Sequence, residues 1–131
     1  MNKEIFFKEM FFNIWQGHDL TKFDKFYARD FEEIVHVSDK NQLPIEIGMN
    51  YDNLVDQAKW YQEHYTDVTL KINKIIGAEN NHLCVNFYSS SIFKKTGELH
   101  HRYVSGIWKI NHDNKIDRCW AVVTPYYSVD K

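Results

Sequence analysis

The chain has 131 residues, 44% hydrophobic and 26% charged, with five Gly, two Pro and a formal net charge of −2. That length suits a single domain over residues 1–131, large enough to bury roughly two thirds of its unfolded surface. The two signs of charge are interspersed and no Lys/Arg-rich run occurs, so the footprint of a DNA- or RNA-binding domain is missing.

Glu4, Lys8 and Glu9 interrupt the apolar N-terminus, and no stretch reaches membrane-spanning length, which argues against a signal segment or a membrane partner. Cys84 and Cys119 both fall in predicted strands and read as buried free thiols, compatible with a reducing compartment. A cytoplasmic protein is the default expectation. The outlier is aromatic content, at 16%; so many rings point to a large core, a lined pocket or an oligomer interface.

The spacing predicts a helix over residues 3–16, with Ile5, Phe12 and Trp15 on one face, Phe7, Phe11 and Ile14 spreading around it, and Gly17 as a left-handed cap. Asp19 offers an N-cap for a short second helix that buries Leu20, Phe23, Phe26 and Tyr27. Phe31 to Asp39 has strand character, and the following Pro44- and Gly48-containing segment reads as a loop with a brief extended piece at Ile45 to Ile47. Asn50 caps a third helix from Tyr51 to about Tyr65, whose inner face is Tyr51, Leu54, Ala58, Tyr61 and Tyr65.

From Val68 the apolar period becomes two, and four strands follow in hairpin succession. The last two, Tyr103 to Ile110 and Ile116 to Val123, flank the Asn/Asp-rich turn Asn111-His112-Asp113-Asn114. Three helices followed by hairpin strands make an α+β fold with a mostly antiparallel sheet. A twisted sheet of this size curls. With the three helices of the N-terminal half covering its concave face, the expected shape is a cone with an apolar interior.

That order resembles the nuclear-transport-factor-2-like superfamily, which includes SnoaL-like cyclases and ketosteroid-isomerase-like proteins. FFNIWQGHDLTKFDKFYARDF is similar to the family's opening helix pair, VSDKNQLPIEIG to the segment carrying the isomerases' catalytic aspartate, and GIWKINHDNKIDRC to its last hairpin. The likeness spans essentially the whole chain. It speaks to fold more than to activity, because this superfamily hosts enzymes, binding modules and assembly domains.

The resemblance places Asp39 at the isomerases' general-base position, where aromatic surroundings would raise its pKa for proton transfer beside a carbonyl. Asp39-Lys40-Asn41 is also good turn chemistry. The partner donors of that reaction are missing: aligned to the family, its tyrosine falls on Phe11 and its second acid on Gly106, so classical steroid isomerisation is not expected. His36 and His64 are the candidate histidines to pair with Asp39 across a cavity, while Glu32, Glu33 and Asp56 read as solvated.

Alternation places His100 and Arg102 on the face of Val104 and Gly106, where they would meet an anionic or carbonyl group; a solvated strand end is the plainer account. One or two hydroxyls of Ser89, Ser90 and Ser91 would face the interior, without the G-x-S-x-G context of a nucleophile. Phe11, Trp15, Phe23, Tyr27, Trp60, Tyr61 and Phe87 read individually as core and together as apolar lining. Adjacent histidines project oppositely from a strand, so neither a metal site nor a cofactor is expected. Trp120 has outward parity and is the candidate contact for a sheet-to-sheet homodimer.

Two functions fit these features. One is a small-molecule pocket protein, cyclase- or isomerase-like in its acid–base chemistry, that takes an apolar carbonyl compound. The other is a non-catalytic homodimeric interaction domain with a filled cone.

Overall fold

The computed structural model of the protein describes residues 2–38, 44–124 and 127–129. Helix α1 (Lys3–Met10) is capped by the Asn2 side chain, which accepts from the Ile5 amide, and continues as a π-helical turn over Phe11–Gln16. Phe7, Met10, Phe11 and Ile14 form its buried face. These sit at i, i+3, i+4 and i+7, the spacing of a single helical stripe. Ile5 and Phe12, which the sequence places inside, are 56% and 40% exposed because they fall outside that stripe. Gly17 is not the left-handed residue either: its φ is −82°, and His18 takes that conformation at φ 57°. Crowding is what calls for glycine here, since a Cβ would stand 2.9 Å from the Asn13 carbonyl oxygen and 3.1 Å from that of Phe12.

A 3₁₀ turn at Leu20–Lys22, capped by Asp19, leads into the short α2 (Phe23–Phe26). Tyr27 then opens strand β1 (Tyr27–Ser38) instead of closing a helix, so the strand starts four residues before Phe31, the start the sequence suggests. The stretch read as a loop is an edge strand, β2 (Pro44–Asn50), antiparallel to β1 from Ser38↔Pro44 to Glu32↔Asn50. Pro44 opens it, one of the few positions where a strand tolerates proline.

Helix α3 (Tyr51–His64) begins in a reciprocal capping box between Asn50 and Asn53 and buries Tyr51, Leu54, Ala58 and Tyr61, as its spacing predicts. Trp60 does not join them. It is 47% exposed, with its ring stacked on His64 at 4.4 Å.

The long strands follow: β3 (Tyr65–Ala78), β4 (His82–Phe93), β5 (Leu99–Ile110) and β6 (Ile116–Val123), with a short β7 (Tyr127–Val129) that the sequence did not signal. The sheet order is β2-β1-β6-β5-β4-β3, with β7 added to the start of β5. All pairings are antiparallel except β1 with β6. Bulges in β3 near Asp67 (φ 53°) and near Asn73, and another beside Asp117 where β5 meets β6, bend the strands. The sheet therefore curls into a cone, and α1 and α3 close its concave side. The core is one aromatic-rich cluster running from Phe7 and Phe11 through Phe26, Tyr27 and Phe31 to Trp108 and Ile116. Among the described residues, no helix is long and apolar enough to cross a membrane.

Candidate functional site

Strand register decides which side chains enter the cone. On β1, Glu33, Val35 and Val37 point inward, and opposite them on β6 stand Cys119, Ala121 and Val123. On β5 the inward set is Arg102, Val104, Gly106 and Trp108; on β4 it includes Phe87 and Ser89. From the helical side come Phe7, Met10, Phe11, Trp15, Leu54, Gln57 and Tyr61. Between these layers lies a cavity of about 270 Å³, just below the usual small-molecule range. The π-helical turn contributes both Phe11 and Trp15 to its wall, and Phe11 meets Phe87 edge-on at 4.4 Å.

Most of the wall is hydrocarbon, and the polar groups are few. Among the described lining residues, two carry charge, Glu33 and Arg102. Glu33 overturns the reading of this residue as solvated. Its carboxyl accepts from the Cys119 thiol, and burial raises its pKa above the ordinary carboxylate value despite that bond. Burial and the neighbouring carboxyl in turn hold the Cys119 thiol well above its usual range. Tyr27 completes this end of the cavity: its hydroxyl accepts from Trp15 Nε1 at 3.2 Å and donates to Met10 Sδ at 3.3 Å. Burial pushes that phenol upward, and Glu33 adds to the shift.

Arg102 stands at the other end. It is directly opposite Ser89 in the β4–β5 register, whereas Glu33 aligns through Cys119 with Trp108, six residues further along β5. At a rise of about 3.3 Å per residue, the two backbones are roughly 20 Å apart along the strands. The register therefore sets the two residues at different levels of the sheet. Near Arg102 the Tyr61 hydroxyl donates to Ser91 Oγ at 2.9 Å and lies 3.5 Å from Ser89 Oγ. Two serine hydroxyls thus face inward, while Ser90 pairs with His101 on the other parity. Tyr61→Phe leaves the fully buried Ser91 hydroxyl without this donor. A loss of about 1–3 kcal/mol of stability is expected, to be read from chemical denaturation midpoints; an unchanged midpoint would show that the network adds nothing.

The other candidates are placed as follows. Asp39 lies outside the described residues. His36 projects to the opposite face of β1, with Nε2 3.7 Å from Glu46. His64 ends α3, its Nδ1 2.7 Å from the Trp60 carbonyl oxygen, and does not line the cavity. His100 turns to the Tyr65 hydroxyl at 2.9 Å rather than into the cavity. Gly106 offers no side chain, and the Trp108 ring covers it: a Cβ there would lie 2.8 Å from two indole carbons. Phe11, Trp15, Tyr27, Tyr61, Phe87, Ser89 and Arg102 are all on the wall.

A larger hollow of about 560 Å³ lies against the β5–β6 turn, where Arg29, Lys109 and Lys115 face Asp30, Asp113 and Asp117. Its balanced charges and polar lining make it a poor match for an apolar ligand. Among the described residues, no group of three or more His, Cys, Asp or Glu is arranged to hold a metal ion.

Neither a family model nor a curated protein sequence matches the chain. Solved structures do. IdmH, a candidate polyketide cyclase from Streptomyces antibioticus, superposes with a TM-score of 0.71 at 13% identity, covering 94% of this chain and 92% of that one. A candidate polyketide cyclase from Acidithiobacillus ferrooxidans gives 0.71 at 12% identity over 94% and 88%. AclR, a candidate hydroxylase from Streptomyces galilaeus, gives 0.71 at 16% identity over 92% and 77%. At such identities the likeness is one of architecture, and in architecture the chain is an α+β cone of the nuclear-transport-factor-2-like, SnoaL-like type.

Proposed function

We propose that the chain is a small-molecule pocket protein that binds an apolar carbonyl compound and moves a proton on it, with Glu33 as the base. The observation that carries this reading is one carboxyl on the wall of a largely apolar cavity, its pKa raised by burial. A base raised from the ordinary carboxylate value is a better match to abstraction beside a carbonyl than an unperturbed one. Glu33 would take the proton from the carbon next to the carbonyl, and the electron pair of that C–H bond would move toward the carbonyl oxygen. The Tyr27 hydroxyl, at the same end, would serve the developing oxyanion by turning its proton away from the weak acceptor Met10 Sδ. Similar folds in candidate polyketide cyclases support such a substrate class.

Asp39 remains the alternative base that the family resemblance implies. A thermal-shift screen of carbonyl-bearing lipids and polyketide-like compounds, followed by turnover assays of the best hit, separates the two. Turnover lost in Glu33→Gln and kept in Asp39→Asn is the expected result. The reverse pattern would move the base to Asp39, and turnover untouched by either substitution would leave binding without acid–base catalysis.

The cavity supports the pocket reading over a filled cone, and the sheet's outer face supports a homodimer. Ile34, Trp120 and Ile107 align across β1, β6 and β5, and they are 36%, 40% and 40% exposed. Val122, one outward position along, is 62% exposed. Polar neighbours flank this apolar row: Glu32, Arg118 and Lys109 on one side, His36 and Ser105 on the other. Two copies meeting through such a stripe would cover it. Trp120→Glu is therefore expected to convert a dimer to a monomer in sedimentation analysis without loss of ligand binding. A wild-type chain that sediments as a monomer at micromolar concentration would remove the dimer from the proposal.

A further inference from the structure

We propose that Met10, Trp15 and Tyr27 form the subsite that recognises the ligand's carbonyl oxygen, with the Tyr27 proton resting on Met10 Sδ until a ketone arrives to take it. The inference rests on reading the cavity as a small-molecule site, and it adds two positioning residues, Met10 and Trp15, that act through Tyr27. All three line the cavity wall.

The directions of two hydrogen bonds carry the argument. Trp15 Nε1, which can only donate, gives its proton to the Tyr27 oxygen at 3.2 Å, and the Tyr27 hydroxyl gives its own to Met10 Sδ at 3.3 Å. Tyr27 is 3% exposed, and burial raises its pKa, so the phenol keeps its proton at neutral pH. A thioether is a weak acceptor. A carbonyl oxygen is a better one, and the exchange gives up only the weaker bond. The Trp15 bond survives the exchange: it holds the phenol oxygen in place and, by polarising the O–H, strengthens it as a donor.

The backbone brings the three together. Met10 and Trp15 are five residues apart, which on an α-helix of 3.6 residues per turn sets them about 140° apart around the axis. The π turn over Phe11–Gln16 closes its backbone bonds at i+5 and brings Trp15 round to the same hydroxyl as Met10. The ligand class follows from the donor. The subsite offers one neutral O–H, and Glu33 is close enough to raise the Tyr27 pKa further, so an anionic head would be opposed there. The polar end it fits is a neutral ketone or aldehyde oxygen. The body lies against Phe11, Phe87 and Trp108, which suits an aryl or unsaturated ketone.

Matched probes test this without knowledge of the natural ligand. 2-Acetylnaphthalene and 2-isopropenylnaphthalene share a shape and differ in whether an oxygen or a methylene ends the side-chain double bond. Both are titrated calorimetrically into the wild-type protein and into Tyr27→Phe, Trp15→Phe and Met10→Leu, the last a swap that conserves volume. The quantity read is the ratio of ketone to alkene affinity, in which packing losses common to both probes cancel. Tyr27→Phe is expected to lower it at least about threefold, and Trp15→Phe by a smaller factor. Met10→Leu is expected to raise it at least about threefold, because the Tyr27 proton then lacks its resting acceptor and the ketone supplies one. A purely structural role for Met10 would not raise the ratio. A ratio that Tyr27→Phe or Trp15→Phe leaves unmoved, or that Met10→Leu fails to raise, would overturn the subsite and leave the pocket reading intact, since the alkene still binds. Binding of neither probe to the wild-type protein would overturn the pocket reading and the subsite with it.

Discussion

Glu33→Gln is expected to make the protein more stable and less active, with the stability gain growing as pH rises. In the unfolded chain this carboxyl ionises at the ordinary value; in the folded chain burial raises that value. The native state therefore holds a proton that the unfolded state has already released. Stability falls as pH rises from the ordinary carboxylate pKa through the folded one, and the penalty is complete above both. Glutamine carries no such penalty and can still accept from the Cys119 thiol. A gain of the size typical for relieving a strained functional site, about 0.5–2 kcal/mol, would appear as a melting temperature several degrees higher at pH above the window. Below the window the two proteins should melt together. A difference that does not widen with pH would mean the Glu33 carboxyl is as well solvated in the folded chain as in the unfolded one. On the catalytic side, loss of a positioned base should cost about 10²- to 10⁴-fold in turnover. Lost activity combined with unchanged ligand affinity would separate proton transfer from binding.

Glu33 also shows where the sequence was legible and where it was not. The closing hairpin could be read because period-two apolar residues flank a turn rich in Asn and Asp, and α3 because its inner face repeats at helical spacing. Arg102 could be placed inward because Val104 and Gly106 share its parity. In Phe31-Glu32-Glu33-Ile34-Val35-His36-Val37 both parities contain apolar residues, so alternation does not select a face. The parallel pairing of β1 with β6, a contact across more than eighty residues of chain, is what turns Glu33, Val35 and Val37 inward. Once that face is known the signal is visible: two valines follow Glu33 at alternate positions, whereas Ile34 and His36 follow Glu32. Strand β2 was obscured for another reason. Pro44 and Gly48 are the residues that mark loops, and the first place in an edge strand is one of the few that accept the proline.

Gly106 carries the second large expectation. A side chain at this position meets two obstacles of different kinds: the Trp108 ring, with Cζ3 and Cη2 each 2.8 Å from a built Cβ, and the Trp120 carbonyl oxygen, also at 2.8 Å. The ring can rotate away only at the expense of its edge contact with Phe7, whose centroid is 5.1 Å from it. The carbonyl belongs to the neighbouring strand and cannot move without disturbing the β5–β6 ladder. Gly106→Ala is therefore expected to cost about 1–3 kcal/mol, as overpacking does elsewhere, and to shrink or reshape the cavity that Trp108 lines. Shortening the ring with Trp108→Phe relieves one obstacle and not the other. The double substitution should then recover part of the loss but not all of it, with a coupling between the two sites measurable in a double-mutant cycle. Gly106→Asp should be worse than alanine, because it adds a carboxyl to the same crowded space, and it should create no isomerase activity. An alanine variant as stable as the parent would show that the strand and ring shift freely, and that Gly106 is no barrier to an acid at this position.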